Sequence, residues 1–279
     1  MKNLSEKGLL VNLKIGYWSG KKNDKQISQD VEAQHNTKDA GKYKKNLISD
    51  TELKVVQSRA AELRKYVYEH TMPWGDNGDR LLPAKHYMVF CSEFRTLQFS
   101  FQDAVSNFLF HYPTLVTEAQ TKLKTMFRAA DYPAADKMKA KFRLELSCEA
   151  IAQLDDFRLQ VDETELETLR EKMQEDYSRR IADATKDIWD RIRTTVGHMV
   201  EKLSEKKPKF HDTLVTNIND LVTLLPQLNI TDDPDITQAV ASMKSLVVDP
   251  TNLRQNGAFR SQKVKEAQAI LAKFDSYMN

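Results

Sequence analysis

Apolar and polar residues alternate from Leu9 to Trp18: Leu9, Val11, Leu13, Ile15 and Tyr17 fall on one side, and Leu10, Asn12, Lys14 and Gly16 on the other. A period of two predicts a β-strand. Ser19 to Asp24 is rich in turn residues and ends it. Residues 25–47 are polar and lysine-rich, which reads as a short helix and a loop. The period then lengthens. Leu53, Val56, Ala60, Leu63 and Val67 lie three and four apart on one helical face, with Ser49 as N-cap and Glu52 completing a capping box. That helix ends near His70, and Thr71 to Pro83 reads as a long loop. A second helix, roughly Tyr87 to Phe110, carries Phe94, Leu97, Phe101, Val105 and Phe108. Pro113 separates it from a third, Thr114 to Ala130.

Phe142, Leu144, Leu146 and Cys148 alternate with polar residues, as do Phe157, Leu159 and Val161, so two further strands are expected. A helix through 134–156 competes, because Ala, Lys and Glu favour it. From Leu166 to Leu203 eleven apolar residues form one stripe, among them Met173, Ile181 and Ile188. The stripe predicts an amphipathic helix of about 45 residues, ~67 Å long. Asp162 and Glu165 supply its start, and Lys206 to Lys209 closes it as a linker. Its mean step, close to ~3.67 residues, departs from the 3.5 of a left-handed coiled coil. The tail divides into three short helices: Asp212 to Leu225, stopped by Pro226; one begun by Asp233-Pro234; and residues 258–278. The expected fold is therefore α+β and predominantly α-helical: a small β-sheet, a helical core and one long amphipathic helix. Its expected divisions are an N-terminal α+β domain at 1–161, the long helix at 162–206 and a C-terminal helical segment at 207–279.

Composition narrows the class. The 279 residues are 41% hydrophobic and 29% charged, and no uncharged run approaches the ~18–20 residues of a membrane span. Eight glycines and eight prolines are too few for the many turns of a β-sandwich. The two cysteines, Cys91 and Cys148, are too few for a disulfide scaffold or a cysteine zinc site and are expected as buried free thiols. No secretory signal opens the chain, so a cytoplasmic protein is expected. Net charge is only +2, but residues 1–49 carry ten lysines against five acids, whereas 146–178 carry ten acids against three bases.

Candidate chemistry is sparse. No phosphate-binding glycine loop, nucleophile elbow or zinc-protease motif occurs. The six histidines are scattered, with no pair at helical ligand spacing. Asp76 to Asp79 lacks the spacing and terminal Glu of a calcium loop. The acids at Asp155, Asp156 and 162–167 are explained by strand alternation and the helix dipole. Catalytic residues, a metal and a cofactor are therefore not expected. Two features remain. The loop holding Trp74, Asp76, Asp79 and Arg80 is a binding candidate, with a packed surface loop as the alternative. The arm carrying Lys21, Lys22, Lys25, Lys42, Lys44 and Lys45 interleaves lysines with Tyr17, Trp18 and Tyr43, a pattern suited to phosphates and unpaired bases.

Ile15 to Lys22, Thr71 to Pro83 and Asp131-Tyr132-Pro133 resemble an uncharacterised family encoded in tailed-phage genomes, over roughly residues 9–206. The resemblance implies a phage accessory or adaptor protein in the host cytoplasm, with an AAA+ ATPase as an implied partner, and it brings no catalytic residues. The leading expectation is a non-enzymatic protein acting by protein–protein interaction, or by homo-oligomerisation. The surfaces for it are the Trp74 loop (Trp74, Asp76, Asp79, Arg80) and the long helix (Leu166, Met173, Ile181, Ile188). The tail covering that helix within one chain is the competing view. Nucleic-acid binding by the lysine arm is the alternative function.

Overall fold

The computed structural model describes residues 4–49, 51–152, 162–205 and 209–278, with side chains as far as Ala272. Its elements are, in chain order, α1 (Leu4–Lys7), β1 (Gly8–Gly16), β2 (Lys21–Asn23), α2 (Lys25–Gln34), β3 (Lys44–Asn46), α3 (Thr51–His70), β4 (Met72–Pro73) and β5 (Arg80–Pro83). There follow α4 (Tyr87–Leu123), α5 (Ala135–Lys139), β6 (Arg143–Ala150), α6 (Glu163–Ser204), α7 (Thr213–Leu228), α8 (Pro234–Met243), α9 (Pro250–Gln255) and α10 (Gly257–Met278). The fold is α+β and predominantly helical. One sheet runs in the order β4-β5-β1-β6 and a second pairs β2 with β3. The strand expected at Phe157 to Val161, the Asp155-Asp156 pair and the Lys206–Pro208 part of the linker lie outside the described residues.

The chain divides into two compact units that interleave in sequence, rather than at 161 and 206: residues 1–12, 68–90 and 147–279 form one, and 13–67 and 91–146 the other.

In the first unit, the segment expected as a loop between Thr71 and Pro83 contains β4 and β5, paired antiparallel through Met72–Leu81 and Pro73–Arg80. β5 also pairs with β1, Leu9 opposite Leu82 and Val11 opposite Arg80. Gly78, at φ +88°, turns the hairpin in the left-handed region that a side chain disfavours. The core forms around the second half of α6. Ile188, Ile192, Val196, Met199 and Leu203 are all buried, in one cluster with Ile218 and Leu225 of α7, Val240 of α8 and Ala267 and Ile270 of α10. The tail therefore covers this part of the stripe within the chain. Pro226 lies inside α7 instead of ending it. Asp233 caps α8 by accepting from the Asp235 and Ile236 amides, with Pro234 at the first helical position. Asp249 and Pro250 repeat the device at α9. The side chain of Asp162 makes no such bond at α6.

In the second unit, α3 buries Leu53, Val56, Ala60, Leu63 and Val67, as its spacing predicts, though it begins at Thr51 rather than directly after Ser49. Where two helices were expected around Pro113, α4 is one helix of 37 residues with Pro113 inside it. The reason is a buried stripe that passes the proline without a break: Phe101, Ala104, Phe108, Tyr112, Leu115 and Ala119. An interior proline costs about 3 kcal/mol, while burying a single Leu or aromatic side chain returns about 1.5–3 kcal/mol, so packing prevails. Tyr112 is held on both sides, its hydroxyl donating to the Pro133 carbonyl at 2.9 Å and its ring meeting Trp18 edge-on at 5.8 Å. The cysteines depart from expectation: Cys91 is half-buried and Cys148 exposed. β6 is an edge strand, and its apolar alternation stops being covered after Leu146.

Candidate functional site: a lysine-rimmed groove

The β2–β3 ladder sorts the lysines of the arm. Lys22 stands opposite Lys45, with Lys21 opposite Asn46 and Asn23 opposite Lys44 on either side. Directly opposed residues share a face and successive residues alternate, so Lys22 and Lys45 point one way and Lys21, Lys44 and Asn46 the other.

The first face is consumed by structure. Lys45 is 2% exposed, and its ammonium donates to Asp24 at 3.0 Å, to Asp131 at 2.8 Å and to the Met126 carbonyl at 2.9 Å. Three donors meet three acceptors, which makes burial of the charge tolerable. Lys22 reaches the other Asp131 oxygen at 2.7 Å. The Lys45 hydrogen bond holds the Asp24 carboxyl below the usual carboxylate range. Burial alone would raise the pKa of Asp131, but the bonds from Lys22 and Lys45 outweigh it and lower it. Burial opposes the Lys45 charge, yet the two carboxylates raise its pKa. Lys45 is therefore an internal counter-ion rather than a contact for nucleic acid, and Lys22 is tied to Asp131.

Beside the ladder lie two adjoining cavities, of about 240 and 330 Å3, which share Asn46, Ile48, Ser49 and Lys122 as walls; Lys21 and Lys44 line them from the second face, and the ion-paired Lys45 also borders the first cavity. One has an apolar floor of Leu47, Ala119, Leu123 and Met126, with Tyr43 and Lys44 at its mouth. The other is bordered by Lys21, Lys54 and Gln57. Among the described residues Glu118 is the one acidic residue lining either cavity. Gly20 closes the wall at φ +66°, where any side chain is strained and a Cβ would sit 2.7 Å from the Leu53 side chain. Lys25 and Lys42 are exposed and line neither cavity. Lys54 and Lys122, outside the arm, were not legible as part of a site because they lie on α3 and α4.

No family model, curated protein or solved structure matches this chain. What it does has to be read from its own residues.

The residues expected to meet a protein partner are largely engaged in the first unit. Trp74 is 3% exposed, with its ring 5.8 Å from that of Tyr177 and the Arg180 guanidinium 5.6 Å from its centre. Asp79 accepts from Asn12 at 2.8 Å and from Asn77 at 2.6 Å. Arg80 donates to the Thr71 hydroxyl and to the Tyr68 and Thr71 carbonyls, and so caps the C-terminus of α3 together with Arg191. Asp76 is exposed. On α6, Ile188 is buried and Ile181 packs against the core, while Leu166 and Met173 are half-buried.

One cluster escaped the sequence reading. His70 and His86, sixteen residues apart, stack with Nδ1 and Nε2 2.7 Å apart. Burial, then His86 and Arg191, lower the His70 pKa to about 4, and burial lowers that of His86. Among the described residues no three His, Cys, Asp or Glu side chains gather as a metal site requires. No helix of the described residues is long and apolar enough to cross a membrane.

Proposed function

We propose that the protein binds single-stranded nucleic acid in the groove of the second unit, without catalysing a reaction. The observation that carries this reading is the pairing of an apolar floor with a lysine rim: Leu47, Ala119, Leu123 and Met126 below, and Lys21, Lys44, Lys54 and Lys122 around the edge. Lysines attract phosphates, and a concave apolar floor accepts the faces of bases free of a partner strand. A duplex keeps its bases stacked inside and presents only phosphate to such a floor. Tyr43, 43% exposed at the mouth, is placed to stack on a base.

Fluorescence anisotropy with a short labelled oligodeoxynucleotide tests it. With three or four lysines on phosphates, log K falls against log salt with a slope of about −2 to −3. Reversing Lys21, Lys44 and Lys122 to Glu lowers affinity more than about tenfold and flattens that slope, whereas Lys265→Glu in α10 leaves both unchanged. Tyr43→Ala weakens binding without changing the slope. Absence of binding at low salt, or binding indifferent to the three reversals, refutes the reading.

A further inference from the structure

The outer face of α4 carries the most exposed large apolar side chains of the described residues: Met88 at 77%, Phe99 at 71% and Phe110 at 80%. They recur every eleven residues, which is three turns and ~16.5 Å of helix, so they stand in one line. The buried stripe of Phe94, Phe101, Phe108 and Leu115 lies on the opposite side of the same helix. Between the apolar residues the line holds Ser92, Arg95, Asp103 and Ser106, all exposed. Among the described residues neither Arg95 nor Asp103 has an ion-pair partner within the chain. The hydroxyls of Thr96 and Ser106 are already bonded to their own helix, at the Ser92 and Gln102 carbonyls. Those two hydroxyls lose little when water leaves them, whereas Arg95 and Asp103 each need an opposite charge on whatever covers the face.

The spacing is symmetric about Phe99. Arg95 and Asp103 are four residues to either side, Ser92 and Ser106 seven, and Met88 and Phe110 eleven. We propose that this face is a homodimer interface, in which α4 of a second copy lies antiparallel across it on a two-fold axis at Phe99. Each Arg95 then meets the partner's Asp103, small serines meet each other and let the helices approach, and each Met88 meets the partner's Phe110. A parallel pairing would instead set Arg95 on Arg95 and Asp103 on Asp103. An isologous contact of this kind closes after two copies. Its line of contact, from Met88 to Phe110, is ~33 Å long, so the dimer is expected to be reversible and to depend on protein concentration. This inference rests on observations separate from the groove and stands or falls independently of it.

Sedimentation equilibrium over a concentration series tests it. The expected mass rises from 32.2 kDa toward twice that value. Phe99→Glu, which sets like charges on the axis, holds the protein at monomer mass. Arg95→Asp and Asp103→Arg each do the same singly, and the double variant Arg95→Asp/Asp103→Arg recovers the dimer because the pairs re-form with reversed sign. Recovery separates a lost contact from a misfolded helix. A monomer at all concentrations, a dimer indifferent to Asp103→Arg, or a double variant that stays monomeric overturns the proposal.

Discussion

The His70–His86 pair makes the first unit sensitive to acid in a range where few other groups titrate. In the folded chain, burial and the neighbouring Arg191 and His86 hold His70 near 4, against 6.5 in an unfolded chain. A histidine with a depressed folded pKa binds more protons when unfolded, so stability falls as pH drops below 6.5 and keeps falling toward 4. Between pH 7.5 and pH 5 the difference for His70 alone amounts to about 2 kcal/mol, and the partial exposure of the ring trims it to roughly 1–2 kcal/mol. His86, 4% exposed, is shifted in the same direction and adds to the effect. Of the three tryptophans, Trp74 and Trp189 lie in the first unit and Trp18 in the second. In a Trp18→Phe background, urea unfolding followed by tryptophan fluorescence therefore reports the first unit. The expected result is a lower midpoint at pH 5 than at pH 7.5, and a much smaller difference in the His70→Gln/His86→Gln variant. If the double variant loses as much stability as the parent over that range, the pair does not carry the pH dependence and the reasoning fails.

Two other substitutions test the second unit, the first by urea unfolding and the second by thermal melting. Lys45→Ala strands Asp24 and Asp131 and is expected to cost about 3–5 kcal/mol, with Lys45→Met/Asp24→Asn/Asp131→Asn recovering much of it. Because the pKa of both aspartates is lowered by folding, the contribution of this cluster is present above the usual carboxylate range and lost as pH falls below that range through the lowered folded values. Pro113→Ala restores a backbone donor in the middle of α4 and removes the ring clash, so the melting temperature is expected to rise by several degrees, corresponding to about 1–3 kcal/mol.

Periodicity made the buried faces legible wherever one element used one period. The α3 stripe, the second half of α6 and the Asp233-Pro234 cap all follow from spacing alone. The prolines were misleading because a local penalty was weighed without the packing that opposes it. At Pro113 the stripe from Phe108 through Tyr112 to Leu115 keeps its step, and that continuity, rather than the proline, decides the helix. The turn residues from Ser19 to Asp24 concealed a three-residue strand, since a ladder this short has no periodicity of its own.

The lysine arm shows why a candidate site is harder to read than a fold. Six lysines look equivalent in composition, yet pairing β2 with β3 sends Lys45 and Lys22 to Asp131 and leaves Lys21 and Lys44 facing the cavities. The partner that makes the division, Asp131, lies 109 residues from Lys22, and Lys122, which completes the rim, comes from α4. Charge density along a chain reports how many cations there are, whereas register decides which of them reach solvent. The same holds for α4. Spacing places Phe94, Phe101 and Phe108 on one stripe, and the packing of that stripe shows that Phe99 and Phe110, which lie off it, are exposed. An exposed apolar line on a helix whose other side is already buried is the feature that motivates the proposed two-fold pairing, and its charges, placed symmetrically about Phe99, are what the charge-swap variants test.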